Sequence, residues 1–137
     1  MKESRDWKLL FYESVKGECP VHDFIESLNE GEQVKVISWL KALKQEGINL
    51  HRPFADLLED GIHELRIKIT GDHVRVLYFF CHRDYIIMTH TFFKRTDKVP
   101  KKELKKAKKY REDFLKRYAT VDKIRRFQSD GFRKLSQ

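Results

Sequence analysis

The chain has 137 residues, a net charge of +8 and a hydrophobic content of 40%, which suits one compact domain with its own core and excludes disorder by composition. No run of about 18 apolar residues occurs, which excludes a membrane span, and no apolar signal core follows the N-terminus, so a cytoplasmic location is expected. Two cysteines are too few for a disulfide scaffold, and Cys19-x-x-His22 lacks a second ligand pair, so neither a metal nor a cofactor is predicted.

The first third of the chain predicts one strand followed by two helices. Residues 7–12 form the strand, and Pro20 opens a short helix after a break at Gly17. A second helix follows residues 29–31 and ends at Gly47. Its apolar residues fall on one side, namely Val36, Ile37, Leu40 and Leu43. We therefore expect a helical hairpin whose apolar side packs on another element.

After a predicted loop over residues 49–60, the hydrophobic period changes from helical spacing to two. Residues 62–70, 73–81 and 85–94 alternate in this way and are predicted to be strands. Gly71-Asp72 and His82-Arg83 are expected to be the two-residue loops that join them.

Pro100 begins a long, basic helix. One stripe of that helix is apolar: Leu104, Ala107, Tyr110, Phe114 and Tyr118. Val121, Ile124 and Phe127 could continue the helix, and Gly131 is expected to end it. The order β-α-α-β-β-β-α predicts an α+β fold, with a small antiparallel sheet, two N-terminal helices on one face and a basic C-terminal helix.

The positive charge lies at the C-terminal end of the chain. Residues 94–137 carry 17 Lys and Arg against 6 Asp and Glu, whereas residues 1–93 carry 12 against 15. This asymmetry indicates a polyanionic partner, either nucleic acid or an acidic protein surface, and the alternative is a solvated helix face.

One face of the predicted sheet collects basic residues. With the two loops above, Lys68 lies opposite Arg75, and Arg75 lies opposite His90. Alternation then places five side chains on this face: Arg66, Lys68, Arg75, His90 and Lys94. Like charges directly opposite each other are unfavourable, so an anion is expected there.

The alternative is an ordinary solvated face, in which the last helix covers Leu77, Phe79 and Met88. The opposite face is apolar and is expected to receive the helical hairpin. Its residues are Leu65, Ile67, Ile69, Val74, Val76, Tyr78, Phe80, Ile87 and Phe93.

The basic face has the residue types that metal-independent RNA cleavage needs. The 2′-hydroxyl of RNA is the nucleophile, so a proton acceptor, cations for the phosphorane and a donor for the leaving oxygen suffice. Arg66 and Arg75 suit phosphate oxygens, and Lys94 suits proton transfer. His90 is the candidate acid or base, with a hydrogen-bonded sheet histidine as the alternative. His63 and His73 are expected on the wrong side or at strand ends.

Several short motifs occur together between residues 7 and 118. They are Gly61-Ile62-His63-Glu64-Leu65-Arg66, Val74-Arg75-Val76-Leu77-Tyr78-Phe79 and His90-x-Phe92-x-Lys94-Arg95-Thr96, followed by Pro100 and the basic helix. As a set they resemble the HigB branch of the RelE/ParE toxin superfamily. The resemblance implies a toxin domain over residues 1–118 and leaves 119–137 as a C-terminal extension.

The resemblance also implies a function. It implies a ribosome-dependent endoribonuclease that cleaves mRNA and inhibits translation, with Arg66, Arg75 and Lys94 at catalytic positions. Its expected partners are mRNA, the ribosome and a cognate antitoxin of helix-turn-helix type. Further cations are expected to bind RNA: Lys68, Arg95, Lys101, Lys102 and Lys105. A non-enzymatic inhibitor like the ParE branch and a plain nucleic-acid-binding module are the alternatives.

Overall fold

The computed structural model describes residues 7–128 and confirms the predicted α+β fold. The strands are β1 (Lys8–Phe11), β2 (Ala55–Glu59), β3 (Ile62–Ile69), β4 (Asp72–Cys81) and β5 (Tyr85–Phe93). The helices are α1 (Pro20–Glu26), α2 (Glu30–Glu46), α3 (Lys101–Arg117) and α4 (Val121–Gln128), and a 3₁₀ turn (Gly47–Asn49) follows α2. The five strands form one sheet in the order β1-β5-β4-β3-β2, in which β1 runs parallel to β5 and all other pairs are antiparallel.

Local sequence signals account for the ends of α2. Asn29 accepts a hydrogen bond from the backbone N–H of Glu32 at 2.9 Å, and the Glu32 carboxylate accepts one from the Asn29 N–H at 3.2 Å. This reciprocal capping box pairs backbone donors that the first turn of a helix otherwise leaves free. Gly47 ends the helix with a positive φ of 54°, which favours glycine.

Two sequence predictions about element boundaries are wrong. Residues 55–59 form the edge strand β2 and not a loop. The register of β2 shifts at Leu58, and this shift interrupts the alternating pattern in the sequence. Residues 121–128 do not continue α3, because Tyr118 ends that helix and α4 begins separately. Gly131 lies outside the described residues, and the predicted domain boundary after residue 118 stays a prediction.

An apolar layer covers each face of the sheet. The helical hairpin packs on one face, as predicted, through Val21, Ile25, Val36, Leu40 and Leu43. Helices α3 and α4 cover the other face, through Leu104, Ala107, Phe114 and Ile124. Within the described part of the chain, no helix is both long and apolar enough to cross a membrane.

The strand register differs from the predicted one. Arg66 lies opposite Arg75 and Lys68 opposite His73, since the β3–β4 loop is Thr70-Gly71 rather than Gly71-Asp72. The β4–β5 loop has three residues, 82–84, instead of two. Arg75 therefore lies opposite Phe92, not His90.

A bulge at Thr89 explains which side chains kept their predicted face. Leu77 pairs with His90 but Tyr78 pairs with Met88, so Thr89 is an extra residue in β5. The longer loop shifts the register by one residue and the bulge by one more, so His90 returns to its predicted face. Between loop and bulge the faces are exchanged: Ile87 packs under α3, and Met88 packs under the hairpin. Both had been predicted on the opposite side.

Candidate functional site

The sheet face beneath α3 carries its functional side chains in three cross-strand rows. The outer row is Lys68, His73 and Lys94; the middle row is Arg66, Arg75 and Phe92; the inner row is Glu64, Leu77 and His90. Lys94 follows β5 and joins the outer row because its backbone N–H donates to the His73 carbonyl at 2.8 Å. The structure thus brings Arg66, Arg75 and Lys94 to one face, as the sequence predicted.

Arg66 lies between two carboxylates. Its guanidinium is 3.2 Å from Glu64 Oε2 and 3.5 Å from Asp56 Oδ2. The side chain is 30% exposed, so it can still meet a ligand from solvent. Asp56 is also 3.0 Å from Arg52, and this guanidinium holds the pKa of the Asp56 carboxyl below its ordinary value.

Arg75 is buried and faces Glu64. Its Nε is 2.9 Å from Glu64 Oε1, although the two atoms are not aligned for a hydrogen bond, and its Nη1 donates to the Val74 carbonyl at 3.2 Å. Burial lowers the pKa of Arg75, and the charge of Glu64 offsets part of that change. The prediction that Lys68 and Arg75 face each other and share an anion is therefore wrong, because Glu64 is the anion that lies between the two arginines.

A cavity of about 330 Å³ opens beside this network, between the ends of β2 and β3, the segment after β5 and the first turn of α3. Its polar lining is Asp56, Glu59, Glu64, Arg66, Lys94, Asp97 and Lys98. Within residues 7–128, no carboxylate lies within ion-pair distance of the Lys94 ammonium. The cavity thus combines an accessible guanidinium, an ammonium without an ion pair and several carboxyl groups.

His90 lies deeper, beneath α3, and is not part of the cavity lining. The residue is 1% exposed, with Nε2 3.2 Å from Glu103 Oε1 and Nδ1 3.1 Å from Thr89 Oγ1. Burial lowers the pKa of His90, while the hydrogen bond with Glu103 acts in the opposite direction. This is the geometry of a hydrogen-bonded sheet histidine, and the acid–base role of His90 stays a prediction.

The cations predicted to bind RNA fall into three places. Lys68 is exposed in the outer row. Arg95 is on the other side of the strand end, 3.4 Å from Asp72, with its guanidinium carbon 5.4 Å from the Phe93 ring centroid. The remaining three are exposed on the first two turns of α3, beside the cavity: Lys101, Lys102 and Lys105. Their RNA-binding role stays a prediction.

Comparison with known proteins identifies the family. A model of the family described as phage-derived protein Gp49-like (DUF891) matches residues 23–112, which include the last four residues of α1, all of α2, four of the five strands and most of α3. The chain belongs to this Gp49-like family. The family is related to the toxins of toxin–antitoxin systems. A search of curated proteins finds no match for the Gp49-like chain.

Three polar residues of the Gp49-like site were missed from the sequence. Glu64 stands two residues before Arg66, so strand alternation could have placed it on the same face. Asp56 comes from β2, which gave no alternation signal. His73 was expected off the face or at a strand end; it does lie near the start of β4, but it points to the same side as Lys68, its direct partner.

Proposed function

We propose that this Gp49-like chain is a toxin of the HigB branch of the RelE/ParE superfamily, in a type II toxin–antitoxin system, and that it cleaves mRNA on the ribosome without a metal ion. The observation that carries the proposal is the cavity in which Arg66 and Lys94 lie beside Asp56 and Glu64. Cations for a phosphate and carboxylates for a proton are the groups that cleavage by the 2′-hydroxyl requires.

Three residues of the cavity have direct roles in this reaction. Asp56 is ionised at neutral pH, because Arg52 lowers the pKa of its carboxyl, and it accepts the proton of the 2′-hydroxyl. The hydroxyl oxygen then bonds to the phosphorus, and the bond to the 5′-oxygen breaks. Arg66 stabilises the charge on the phosphorane, and the Lys94 ammonium donates a proton to the leaving oxygen. The products are a 2′,3′-cyclic phosphate and a 5′-hydroxyl.

Arg75 and Glu64 act as positioning residues in this mechanism. Arg75 is only 9% exposed, so its guanidinium contacts Glu64 and not the substrate. Glu64 in turn is 3.2 Å from Arg66 and fixes where that guanidinium lies.

Asp56 is a weak base, because the pKa of its carboxyl is lowered. A weak base suits an enzyme whose substrate is held in register by the ribosome.

One observation favours the second candidate function, a non-enzymatic inhibitor. Arg66 already has two carboxylate partners, so a phosphate must compete with Glu64 and Asp56 for it. The inhibitor would use the exposed cations of α3 to hold its target and would need no reaction in the cavity.

Induction of the protein in a bacterial host, with mapping of mRNA 5′ ends, separates the two functions. The wild type is expected to arrest growth and to produce new 5′-hydroxyl ends inside translated regions, whereas Arg66→Ala and Lys94→Ala relieve both effects. Lys35→Ala is the matched control, because Lys35 is exposed on α2, on the opposite face of the sheet.

Circular dichroism of each purified variant checks that the fold is kept. Growth arrest without new mRNA ends would favour the inhibitor. New ends that persist in both the Arg66 and Lys94 variants would overturn the assignment of the cavity as the cleavage site.

A further inference from the structure

The outer row is a line of three nitrogen-bearing side chains at the open end of the sheet. Lys68 and His73 are direct cross-strand partners, and the Lys94 N–H bonds to the His73 carbonyl. Cross-strand partners project to the same side, with Cβ atoms about 4.5–5.5 Å apart. Lys68 and His73 are exposed, and Lys94 lines the cavity that also contains Arg66. The row is therefore reachable from solvent and continuous with the candidate site.

The side chains of the outer row form no ion pair within residues 7–128. Arg66 and Arg75 each contact a carboxylate, but Lys68, His73 and Lys94 make no ion pair with any of residues 7–128. The nearest acidic residue along the chain, Asp72, pairs with Arg95 on the other side of the strand. Two ammonium groups that flank an imidazole across adjacent strands repel each other unless an anion lies between them.

We infer that the outer row, with His73 at its centre, binds the backbone phosphate next to the scissile phosphate of a single-stranded RNA. This rests on the proposed function, because the cavity with Arg66 must be the cleavage site. Neighbouring rows on one face of the sheet are two residues apart along each β-strand, or about 6.6 Å. Adjacent phosphates of an extended RNA can match this spacing. Lys94 belongs to both places, since it lines the cavity and ends the row.

The arrangement favours a nucleic-acid backbone over an acidic protein surface. The row presents nitrogen donors to an anion, and it is joined to the cavity through Lys94. An RNA whose scissile phosphate lies in the cavity places its adjacent phosphate beside the outer row. The rows of the sheet face are regularly spaced, as the phosphates are in a phosphodiester chain.

Binding of a short RNA with a 2′-O-methyl group at every position, which cannot be cleaved, tests this inference without requiring activity. Lys68→Gln and His73→Gln are expected to weaken binding about 3- to 10-fold each. The Lys68 variant also lowers the salt dependence of binding by about one counterion. His51→Gln, an exposed histidine beside β2, is the control and leaves affinity unchanged.

A methylphosphonate scan identifies the phosphate. One neutral methylphosphonate is placed at each position of the RNA in turn. At the position next to the cleavage site, it is expected to weaken binding to the wild type but not to the His73→Gln variant. In ribosome-dependent cleavage, the same variant raises KM and leaves kcat unchanged, because the contact is present in both ground and transition states.

The outcomes separate the two proposals. If the wild type cleaves no RNA, but Lys68→Gln and His73→Gln still weaken RNA binding relative to His51→Gln, the cleavage proposal fails, and the outer row remains a phosphate-binding site without a neighbouring scissile phosphate. If RNA is cleaved, but both variants match His51→Gln in affinity and KM, the assignment of the outer row to a phosphate is overturned. Loss of binding to an acidic peptide, with RNA binding unchanged, would also overturn it and would assign the row to a protein partner.

Discussion

Replacing Glu64 with glutamine tests the charge network beneath the cavity. Glu64 is 2% exposed, and its two oxygens are 2.9 Å from Arg75 Nε and 3.2 Å from the Arg66 guanidinium. Glutamine keeps the shape of the side chain and removes its charge. The guanidinium of Arg75 is then left buried without a counter-charge, whereas Arg66 keeps Asp56 and contact with water.

The expected loss of stability follows from this difference between the two arginines. Breaking a buried ion pair by removing one partner costs about 3–5 kcal/mol, because the remaining charge stays desolvated. Since only one of the two arginines is fully buried and the amide still offers an oxygen, we expect the lower end, about 3 kcal/mol. With a urea dependence of about 2 kcal/mol per molar, the unfolding midpoint falls by about 1.5 M.

Urea denaturation followed by circular dichroism measures this change. Glu112→Gln is the matched control, since Glu112 forms an exposed pair with Lys116 at 3.4 Å and its loss leaves the midpoint within about 0.2 M. Adding Arg75→Met to Glu64→Gln should recover stability, because it removes the uncompensated charge. A Glu64→Gln midpoint as high as that of the control would refute the view that this carboxylate holds the two arginines.

Three further predictions concern the rest of the fold. In urea denaturation, Gly47→Ala should destabilise the protein more than Gly71→Ala. Both glycines have a positive φ, so both substitutions strain the backbone. A Cβ at Gly47 would also overlap the indole of Trp7, whereas a Cβ at Gly71 meets no atom within 4 Å. Burial lowers the pKa of His90, so the unfolded chain binds a proton that the folded chain does not. The free energy of unfolding should therefore fall as pH drops below about 6.5. In denaturation curves measured from neutral to acidic pH, His90→Gln should make this fall less steep. Burial and a neighbouring carboxylate raise the pKa of Tyr12 to about 12, so Tyr12→Phe should leave the phenolate absorbance that develops near pH 10 unchanged in an ultraviolet titration.

The elements of secondary structure were predictable where local chemistry defines them. The strand predicted over residues 62–70 is observed as Ile62–Ile69, and the helix predicted to begin at Pro100 begins one residue later, at Lys101. Alternation, capping residues and glycines act within a few residues, so they can be read without knowing the fold. The edge strand β2 has a register shift and one neighbour only, and its sequence therefore lacked the alternating pattern.

The candidate site was predictable in part. Alternation put Arg66, Arg75 and Lys94 on one face, and two errors of one residue each, at the β4–β5 loop and at Thr89, cancelled for His90. The partners of these residues depend on the register, which no local signal fixes to within one residue. The predicted register placed Arg75 opposite Lys68, which suggested that an external anion lies between them. In the structure Arg75 lies opposite Arg66, and the carboxylate between these two arginines is Glu64.

The sequence by itself determined the order of elements, the apolar side of each helix and the basic character of one sheet face, because each of these depends on spacing along the chain. Only the tertiary structure decided which cations are neutralised and which are free. Asp56 of β2 comes to meet Arg66 of β3, and Glu64 of β3 comes to lie beside Arg75 of β4, while Lys68, His73 and Lys94 form no ion pair with a carboxylate within residues 7–128. The net charge of +8 does not indicate which cations are paired, because the interaction between two charges depends on their distance in space.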